Sequence, residues 1–253
     1  MVFIKSKEEL KRQGKMDKKI AYFAGCTANY IEPEVGIATI LVLEKNGFHP
    51  VFPKQKCCAV PQLAYGNRRS FFRHAEANVR SLAEAGCDIV TACTSCALAI
   101  KRDYPRLLNS QEARAVAART YDIMEYLVML NASSLLNTTF HPINLNLSYH
   151  APCHLRTLGQ KLITNRLELL RLIPGTSVKW IDWGCCGMAG TFGVKRSNYM
   201  VSMAIGRALF EEIIRLAPDL VTTECPGCKM QISQGTGITV THPIQIVKEA
   251  YGL

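Results

Sequence analysis

Ten of the eleven cysteines in this chain of 253 residues fall into two sets of five. Each set has a single cysteine, an adjacent pair, and two cysteines separated by two residues. The first set is Cys26, Cys57, Cys58, Cys93 and Cys96, and the second is Cys153, Cys185, Cys186, Cys225 and Cys228. Neighbouring residues on a strand point to opposite faces, so each pair indicates a group lying between or around its two sulfurs. Many regularly spaced thiols in a reducing compartment point to metal ligation.

The number of thiols in a set limits the kind of metal group. A structural zinc site is complete with four cysteines, and a cubane iron–sulfur cluster also takes four thiolates. Five ligands, two of them adjacent, suggest a larger or opened cluster in which one sulfur bridges irons. The glycines of "GCCGMAGTFG" would let the backbone approach an inorganic core; they are Gly184, Gly187, Gly190 and Gly193. The segment lacks the Lys-Ser/Thr ending of a P-loop, so no nucleotide is expected there.

The two sets repeat in order and in spacing. Thirty residues separate the single cysteine from the pair in the first set, and 31 separate them in the second. The flanking sequences also correspond, since "IAYFAGC" (20–26) matches "LSYHAPC" (147–153) and "DIVTAC" matches "DLVTTEC". A duplication explains both observations, with a linker-like boundary in "NASSLLNTTFHPIN".

Strand and helix patterns alternate within each half. In the first half, strands are predicted at 19–24, 48–52 and 87–92, with helices over about 33–46 and 67–85. Every cysteine of the two sets follows a predicted strand. Alternating βα units predict an α/β fold of two repeated domains, each with a small parallel sheet covered by helices. Ligands of such sheets bind beyond the carboxyl ends of the strands, so the cluster sites are expected there.

The expected domain bounds are 19–131 and 145–253, after a basic leader at 1–18. Residues 1–19 hold seven Lys or Arg and three acidic residues, within a net charge of +10 for the chain. A solvated arm is the favoured interpretation of this leader, and contact with an acidic partner or an anionic membrane surface is the alternative. No nucleic-acid module is recognisable, so no nucleic-acid partner is expected.

Composition places the chain among ordinary globular proteins, with 48% hydrophobic and 20% charged residues. No apolar run approaches the roughly 18–20 residues that span a bilayer. The charged start of the chain has no signal-peptide pattern. The chain is therefore expected in the cytoplasm.

The two cysteine sets together resemble the CCG, or cysteine-rich, domain family, present here in two copies over about 20–251. The segments "YHAPCHLRTLG", "LLRLIPG" and "GCCGMAGTFG" are similar to the carboxyl-terminal part of the anaerobic glycerol-3-phosphate dehydrogenase subunit designated C. In having all ten cysteines, the chain is similar to the heterodisulfide reductase subunit designated B. One position departs from the family pattern: "CCAVP" has Ala59 where a glycine usually follows the pair, which adds a methyl group beside the first site.

The resemblance implies two noncubane 4Fe-4S iron–sulfur clusters, one held by each cysteine set. It implies an iron–sulfur redox subunit of an oxidoreductase complex, passing electrons between a partner and a disulfide or a quinone. Because the chain shows no ferredoxin, flavin or nicotinamide motif, the expected partner is a flavoprotein dehydrogenase or a ferredoxin-containing subunit of the same complex. Such a partner would bring the chain to the inner face of the membrane. The alternative is a zinc-binding structural or scaffolding protein without redox activity.

Residues near the second set admit two interpretations each, and no catalytic residue is assigned. His150 and His154 flank Cys153, where they would either donate a hydrogen bond that tunes the cluster or pack at a strand end. Lys195 and Arg196 would either guide an anionic substrate or quinone, or start a solvated helix, which is the favoured interpretation.

Three sulfur-containing residues outside the two sets are expected to have packing roles. Cys87 begins an apolar strand and is expected to be a small buried apolar residue. Met200 and Met203 lie on the predicted apolar face of a helix and are expected in the core.

Overall fold

The computed structural model describes residues 18–253, so the basic leader predicted at 1–18 lies outside the described residues except for Lys18. The chain divides into two compact units, of which the first ends at Thr138 and the second spans Thr139–Leu253. Each unit contains one of the two cysteine sets. In residues 18–253, no helix is both long enough and apolar enough to cross a membrane.

The first unit alternates strands and helices. Its strands are β1 (Lys18–Tyr22), β2 (Phe48–Val51), β3 (Asp88–Thr91) and β4 (Thr120–Asp122). Its helices are α1 (Gly25–Tyr30), α2 (Pro33–Lys45), α3 (Val60–Ala64), α4 (Arg68–Glu84), α5 (Thr94–Leu98), α6 (Tyr104–Leu108), α7 (Gln111–Ala118) and α8 (Ile123–Ala132), with a π-helical turn at Ala99–Asp103. The strands form one sheet in the order β2-β1-β3-β4, and every pair is parallel.

The second unit repeats this plan. Its strands are β5 (Leu145–Tyr149), β6 (Thr176–Trp180), β7 (Leu220–Thr222) and β8 (Val240–Thr241). Its helices are α9 (Cys153–Arg156), α10 (Gln160–Arg171), α11 (Tyr199–Leu216), α12 (Pro226–Thr236) and α13 (Pro243–Ala250), with a 3₁₀ turn at Arg196–Asn198. The sheet order is β6-β5-β7-β8, again with parallel pairs.

The two sheets correspond strand by strand. Tyr22 at the end of β1 is level with Val90 of β3, and Tyr149 at the end of β5 is level with Thr222 of β7. In each sheet the second strand lies on one side of the first strand, and the chain then crosses to place the third strand on the other side. Such a switch point forms a crevice beyond the carboxyl ends of the strands. The predicted α/β fold, with two repeated domains built on small parallel sheets, is confirmed.

Helix α4 shows how the sequence builds these layers. The side chain of Asn67 caps its start by accepting a hydrogen bond from the backbone N–H of Ser70. Apolar residues then recur every three or four positions on one face and are buried; these are Phe71, Ala75, Val79 and Leu82. They pack in one cluster with residues of β1 and β3, so this face covers the sheet.

The structure adds short elements that the sequence patterns did not predict. Strand β4 has three residues and β8 has two, which is too short for a pattern of alternation to register. Asp122 ends β4 and at once caps α8 through a capping box with Glu125. The predicted core position of Met200 is wrong, because 75% of its surface is exposed on α11. Met203 is partly buried against the second core.

Candidate metal centres

The first cysteine set lies at the carboxyl ends of three neighbouring strands. Cys26 lies in α1 just after β1, and Cys57 and Cys58 lie in the loop after β2. Cys93 follows β3 and is the N-cap of α5, which contains Cys96. Because β2, β1 and β3 are adjacent in the sheet, their loops leave it side by side. The fold therefore brings all five cysteines to one edge of the sheet.

A continuous run of thiol–thiol contacts links the five side chains. Cys57 contacts both Cys26 and Cys58. Cys96 contacts both Cys58 and Cys93. Cys26 is exposed, Cys57 and Cys93 are half-buried, and Cys58 and Cys96 are buried. The run therefore passes from the surface into the core of the unit.

The middle of this run favours a thiolate, the form of cysteine that binds metals. Hydrogen bonds from Cys57 and Cys96 lower the pKa of Cys58, against the opposing effect of its burial. The hydrogen bond between Cys58 and Cys96 raises the pKa of Cys96, and the bond to Cys57 raises the pKa of Cys26. One negative charge at Cys58 is thus stabilised by neighbouring thiol donors.

The second set has the same placement beyond β5, β6 and β7. Cys153 begins α9 after β5, and Cys185 and Cys186 lie in the loop after β6. Cys225 follows β7 as the N-cap of α12, which contains Cys228. These three strands are again neighbours in their sheet. The five cysteines of this set also meet at one edge.

The thiol contacts of the second set centre on Cys186. Its sulfur contacts Cys185 and lies 3.3 Å from the sulfur of Cys228, which in turn contacts Cys225. Hydrogen bonds from Cys185 and Cys228 lower the pKa of Cys186. Cys153 is exposed and is linked to the run through electrostatic interactions with Cys225 and Cys186. Cys186 therefore corresponds to Cys58 in both position and charge.

The residue after each cysteine pair makes the same turn in both units. Ala59 has a φ of +64° and Gly187 a φ of +87°, both in the left-handed region. The backbone N–H of Ala59 donates to the Cys57 sulfur at 3.5 Å, and that of Gly187 donates to the Cys185 sulfur at 3.4 Å. The methyl group of Ala59 is buried in the first core. The position that departs from the family pattern thus keeps the turn.

Gly187 has no room for a side chain. A Cβ there would lie 2.0 Å from the carbonyl oxygen of Ser202 on α11. A Cβ at Gly206, also on α11, would lie 2.6 Å from the carbonyl oxygen of Cys186. The loop therefore packs directly on the helix backbone, which explains Gly187 without an approach to an inorganic core.

Two buried polar side chains hold the first cysteine pair. Asn78 on α4 accepts from the backbone N–H of Lys56 at 2.7 Å and donates to the carbonyl of Cys57 at 3.2 Å. It also donates to the Tyr104 hydroxyl at 2.9 Å, and that hydroxyl donates to the carbonyl of Cys58 at 3.1 Å. Asn78 and Tyr104 are both fully buried. Sequence analysis missed both, because nothing in their spacing connects them with the pair.

Different side chains support the second pair. The Ser202 hydroxyl donates to the carbonyl of Gly187 at 2.8 Å. The amide of Gln231 on α12 donates to the Ser202 oxygen at 2.7 Å, and both side chains are buried. The loop that carries Cys185 and Cys186 is thereby connected to α11 and to the helix that contains Cys228.

The donor chemistry at these edges fits an iron–sulfur cluster, since every donor of the two sets is a thiol. Buried polar atoms without a protein hydrogen-bond partner occur near the thiols in residues 18–253, namely the hydroxyls of Thr94 and Thr223 and Nδ1 of His150. Burial lowers the pKa of His150 to about 4, partly opposed by Cys186. In the same residues, no three His, Cys, Asp or Glu side chains are arranged to hold a single metal ion.

The remaining candidate residues from the sequence do not belong to the two thiol sets, and each has a different position in the fold. Cys87 precedes β3 at the opposite end of the strand from Cys93, and it is half-buried against the first core. Burial raises its pKa. Lys195 and Arg196 are exposed at the 3₁₀ turn before α11. His154 lies beside Cys153 on α9.

Comparison with known proteins finds relatives over nearly the whole chain. The anaerobic glycerol-3-phosphate dehydrogenase subunit designated C, of Escherichia coli (strain K12), is 35% identical over 245 residues, covering 94% of this chain and 61% of the relative. The dihydromethanophenazine:CoB–CoM heterodisulfide reductase subunit designated D, of Methanosarcina barkeri, is 31% identical over 265 residues, covering 97% of this chain and 61% of the relative. A protein of Methanocaldococcus jannaschii, named an uncharacterized iron–sulfur protein, is 29% identical over 217 residues, covering 85% and 41%. The chain thus spans only part of each relative.

A solved structure and a family model complete the comparison. A hypothetical protein from Helicobacter pylori superposes with a TM-score of 0.57 at 13% identity, over 95% of this chain and 51% of that chain, and this likeness concerns the fold alone. The model of the CCG cysteine-rich domain matches residues 20–101 and 147–233. Each matched segment contains one complete set of five cysteines. The chain belongs to the CCG cysteine-rich domain family, with two copies of the domain.

Proposed function

We propose that this chain is an iron–sulfur electron-transfer subunit of an oxidoreductase complex, with one cluster in each unit. The observation that carries the proposal is that each unit gathers five cysteines beyond the carboxyl ends of three adjacent strands. When bound, such clusters accept and release single electrons. The proposed ligands are Cys26, Cys57, Cys58, Cys93 and Cys96 for one cluster and Cys153, Cys185, Cys186, Cys225 and Cys228 for the other.

Five thiols per unit favour an iron–sulfur cluster over zinc. Four ligands complete a structural zinc site, so a zinc-binding scaffold would leave the fifth thiol without a role. The Methanocaldococcus jannaschii relative is named an iron–sulfur protein, and the other two relatives are named as oxidoreductase subunits. The fifth thiol and the adjacent pair support the noncubane 4Fe-4S type in both units.

The protein around each site would shield one side of the cluster and leave the other open. Cys58 and Cys96 are buried, as are Cys186 and Cys228. Cys26 is exposed in the first unit, and so are Cys153 and Cys185 in the second. Since solvent exposure and hydrogen bonds to sulfur set cluster potentials, the N–H groups of Ala59 and Gly187 would contribute to them. Electrons would enter and leave on the open side.

The surface beside the second site suits a protein partner. Between Trp183 and Phe210 the sequence contains Lys195, Arg196 and Arg207 but no Asp or Glu. Large apolar side chains are exposed in the same segment; they are Trp183, Phe192, Val194, Tyr199, Met200, Val201 and Ile205. An apolar surface with positive charges fits a partner surface that is apolar with acidic residues. A flavoprotein dehydrogenase or a ferredoxin-containing subunit is the proposed partner.

Two classes of small redox partner fit the open side. The name of the Methanosarcina barkeri relative supports a disulfide. The exposed apolar side chains that flank Cys185, including Trp183, support a quinone as the second candidate. The complete complex can be assayed with a disulfide as the acceptor and, separately, with a quinone. The acceptor that it reduces would distinguish the two candidates.

Anaerobic purification followed by iron, sulfide and zinc analysis tests the proposal. We expect iron and acid-labile sulfide in comparable amounts, with electron paramagnetic resonance signals that change on reduction. Zinc at about one or two ions per chain without labile sulfide would instead support the scaffold alternative.

A further inference from the structure

A fully buried ion pair adjoins the second cysteine set along the chain. Nε of Arg166 lies 3.1 Å from Oε1 of Glu224, and the exposed fractions of the two side chains are 1% and 0%. The hydroxyl of Tyr149 lies 2.7 Å and 2.8 Å from the two carboxylate oxygens of Glu224. A guanidinium NH₂ group of Arg166 also donates to the carbonyl of Leu162 at 2.9 Å. Tyr149, Arg166 and Glu224 are named the buried triad below.

The buried triad joins the two strands whose loops carry Cys153 and Cys225. Tyr149 is the last residue of β5, and Glu224 lies between the end of β7 and Cys225. Arg166 reaches them from α10. Because β5 and β7 are neighbours on either side of the switch point, the triad connects the strand ends at the mouth of the crevice.

Stability alone does not account for charges at this place. Removing two charges from water costs about as much as their attraction returns, and well-packed apolar residues would stabilise the fold equally well. Buried ion pairs are best attested where they specify one arrangement of the chain. The buried triad therefore points to a role in fixing the segment that it holds, which is the turn into Cys225.

The first unit has uncharged residues at the equivalent positions. Tyr22 ends β1 as Tyr149 ends β5, and Thr39 follows Tyr22 at the same separation as Arg166 follows Tyr149. The Thr39 hydroxyl donates to the carbonyl of Val35 at 2.7 Å, and the buried Tyr22 hydroxyl has no hydrogen-bond partner within residues 18–253. Ala92 precedes Cys93 as Glu224 precedes Cys225. Both units thus have the tyrosine, and only the second has opposite charges at these positions.

We propose that Glu224 is a positioning residue of the second metal site. Its carboxylate, held by Arg166 and Tyr149, fixes the turn that presents Cys225 and balances the charge of Arg166 beside the second cluster. This inference rests on the proposed function, since the influence on a cluster requires that one is bound. The residues at the equivalent positions of the first unit are uncharged, so this positioning role is confined to the second unit.

Charge-changing variants separate this role from a merely structural one. Glu224→Gln removes a negative charge next to Cys225, so the reduction potential of the second cluster should rise. Arg166→Met removes the positive charge of the pair, so the potential should fall. The double variant should shift less than either single one. Redox titration followed by electron paramagnetic resonance measures both clusters, and the first cluster is an internal control whose potential should not move.

Opposite shifts are the expected result. Shifts of the two single variants in the same direction, or no shift, would overturn the proposal. If the variants lose the second cluster, a second measurement tests the proposal. It uses cluster-free protein under reducing conditions. There, alkylation of Cys225 by iodoacetamide, followed by mass spectrometry, should be about tenfold faster in Glu224→Gln, the factor that one charged hydrogen bond provides.

The alkylation measurement has matched controls within the chain. Cys93 should react at the wild-type rate in every variant. Glu212→Gln removes a half-buried carboxylate paired with Arg215 on α11 and should leave the alkylation rate of Cys225 unchanged. Equal rates for Cys225 in wild type and Glu224→Gln would overturn the positioning role. The alkylation measurement needs no iron, so it tests the positioning role even if the wild-type chain binds no cluster. The absence of a cluster from the wild-type chain would separately refute the proposed function.

Discussion

Ala59 and Gly187 occupy the same turn, but only one of them has space for a methyl group. Gly187→Ala would place a Cβ against the backbone of Ser202 and force a left-handed alanine. We expect the second unit to lose about 2–5 kcal/mol of unfolding free energy, from overpacking and backbone strain together. Urea denaturation of the cluster-free protein measures the loss.

The reciprocal change at the first site is the control. In Ala59→Gly, relief of the left-handed conformation offsets the loss of a buried methyl group, so the unfolding free energy should change by less than about 1 kcal/mol. Equal losses for Gly187→Ala and Ala59→Gly would show that the two loops do not differ in packing as described.

Cys87 provides a second residue-scale prediction, because it lies at the opposite end of β3 from Cys93. Cys87→Ser should retain the wild-type content of iron and labile sulfide, since Cys87 packs against the first core away from the five thiols. Metal and sulfide analysis after anaerobic purification measures this. A loss of iron from Cys87→Ser as large as that from Cys186→Ser would contradict the division of the cysteines into five, five and one.

At the scale of elements, α4 and α6 hold the first cysteine pair through Asn78 and Tyr104. Tyr104→Phe removes the hydroxyl that donates to the Cys58 carbonyl and accepts from Asn78. We expect a loss of about 1–3 kcal/mol, the cost of leaving buried polar groups unpaired. Iron should be lost from the first site in preference to the second. Tyr126→Phe is a matched control, because Tyr126 is buried in the first unit and contacts Asp88 rather than the cysteine loop.

The strands that precede the cysteines are well predicted from the sequence, because the same pattern occurs at corresponding positions in both halves. The buried runs of β1 and β5 align through "YFAGC" and "YHAPC", and their loops carry equivalent thiols. Strands β4 and β8 leave no comparable pattern because they have three and two residues. The polar contacts of Asn78 and Tyr104 depend on tertiary packing between distant helices, which no local period encodes.

The buried triad illustrates the same limit. Glu224 is visible in the sequence as the charged residue in "DLVTTEC", where the first half has Ala92 in "DIVTAC". Its partner Arg166 lies on α10, 58 positions away along the chain, and looks like any charged residue of an amphipathic helix. Only the packing of α10 on the sheet shows that the two charges neutralise each other.

At the scale of the whole molecule, the chain is expected to need a partner for turnover. The isolated, cluster-loaded chain should show little steady-state turnover with NADH, because its sequence shows no flavin or nicotinamide motif. Adding the partner subunit should restore reduction of a disulfide or quinone. The rate should fall as salt rises, since the surface around Lys195 and Arg196 is basic. Rapid turnover with NADH and no added protein would contradict the subunit role.

The central claim is that two five-thiol sites each hold an iron–sulfur cluster, and Cys58 and Cys186 are the buried thiolates at their centres. Iron and labile sulfide per chain, measured in wild type, Cys58→Ser, Cys186→Ser and the double variant, test it most directly. Two four-iron clusters predict roughly eight irons in wild type, about half in each single variant and almost none in the double variant. Zinc in place of iron, or a single variant that keeps the full iron content, would contradict the account.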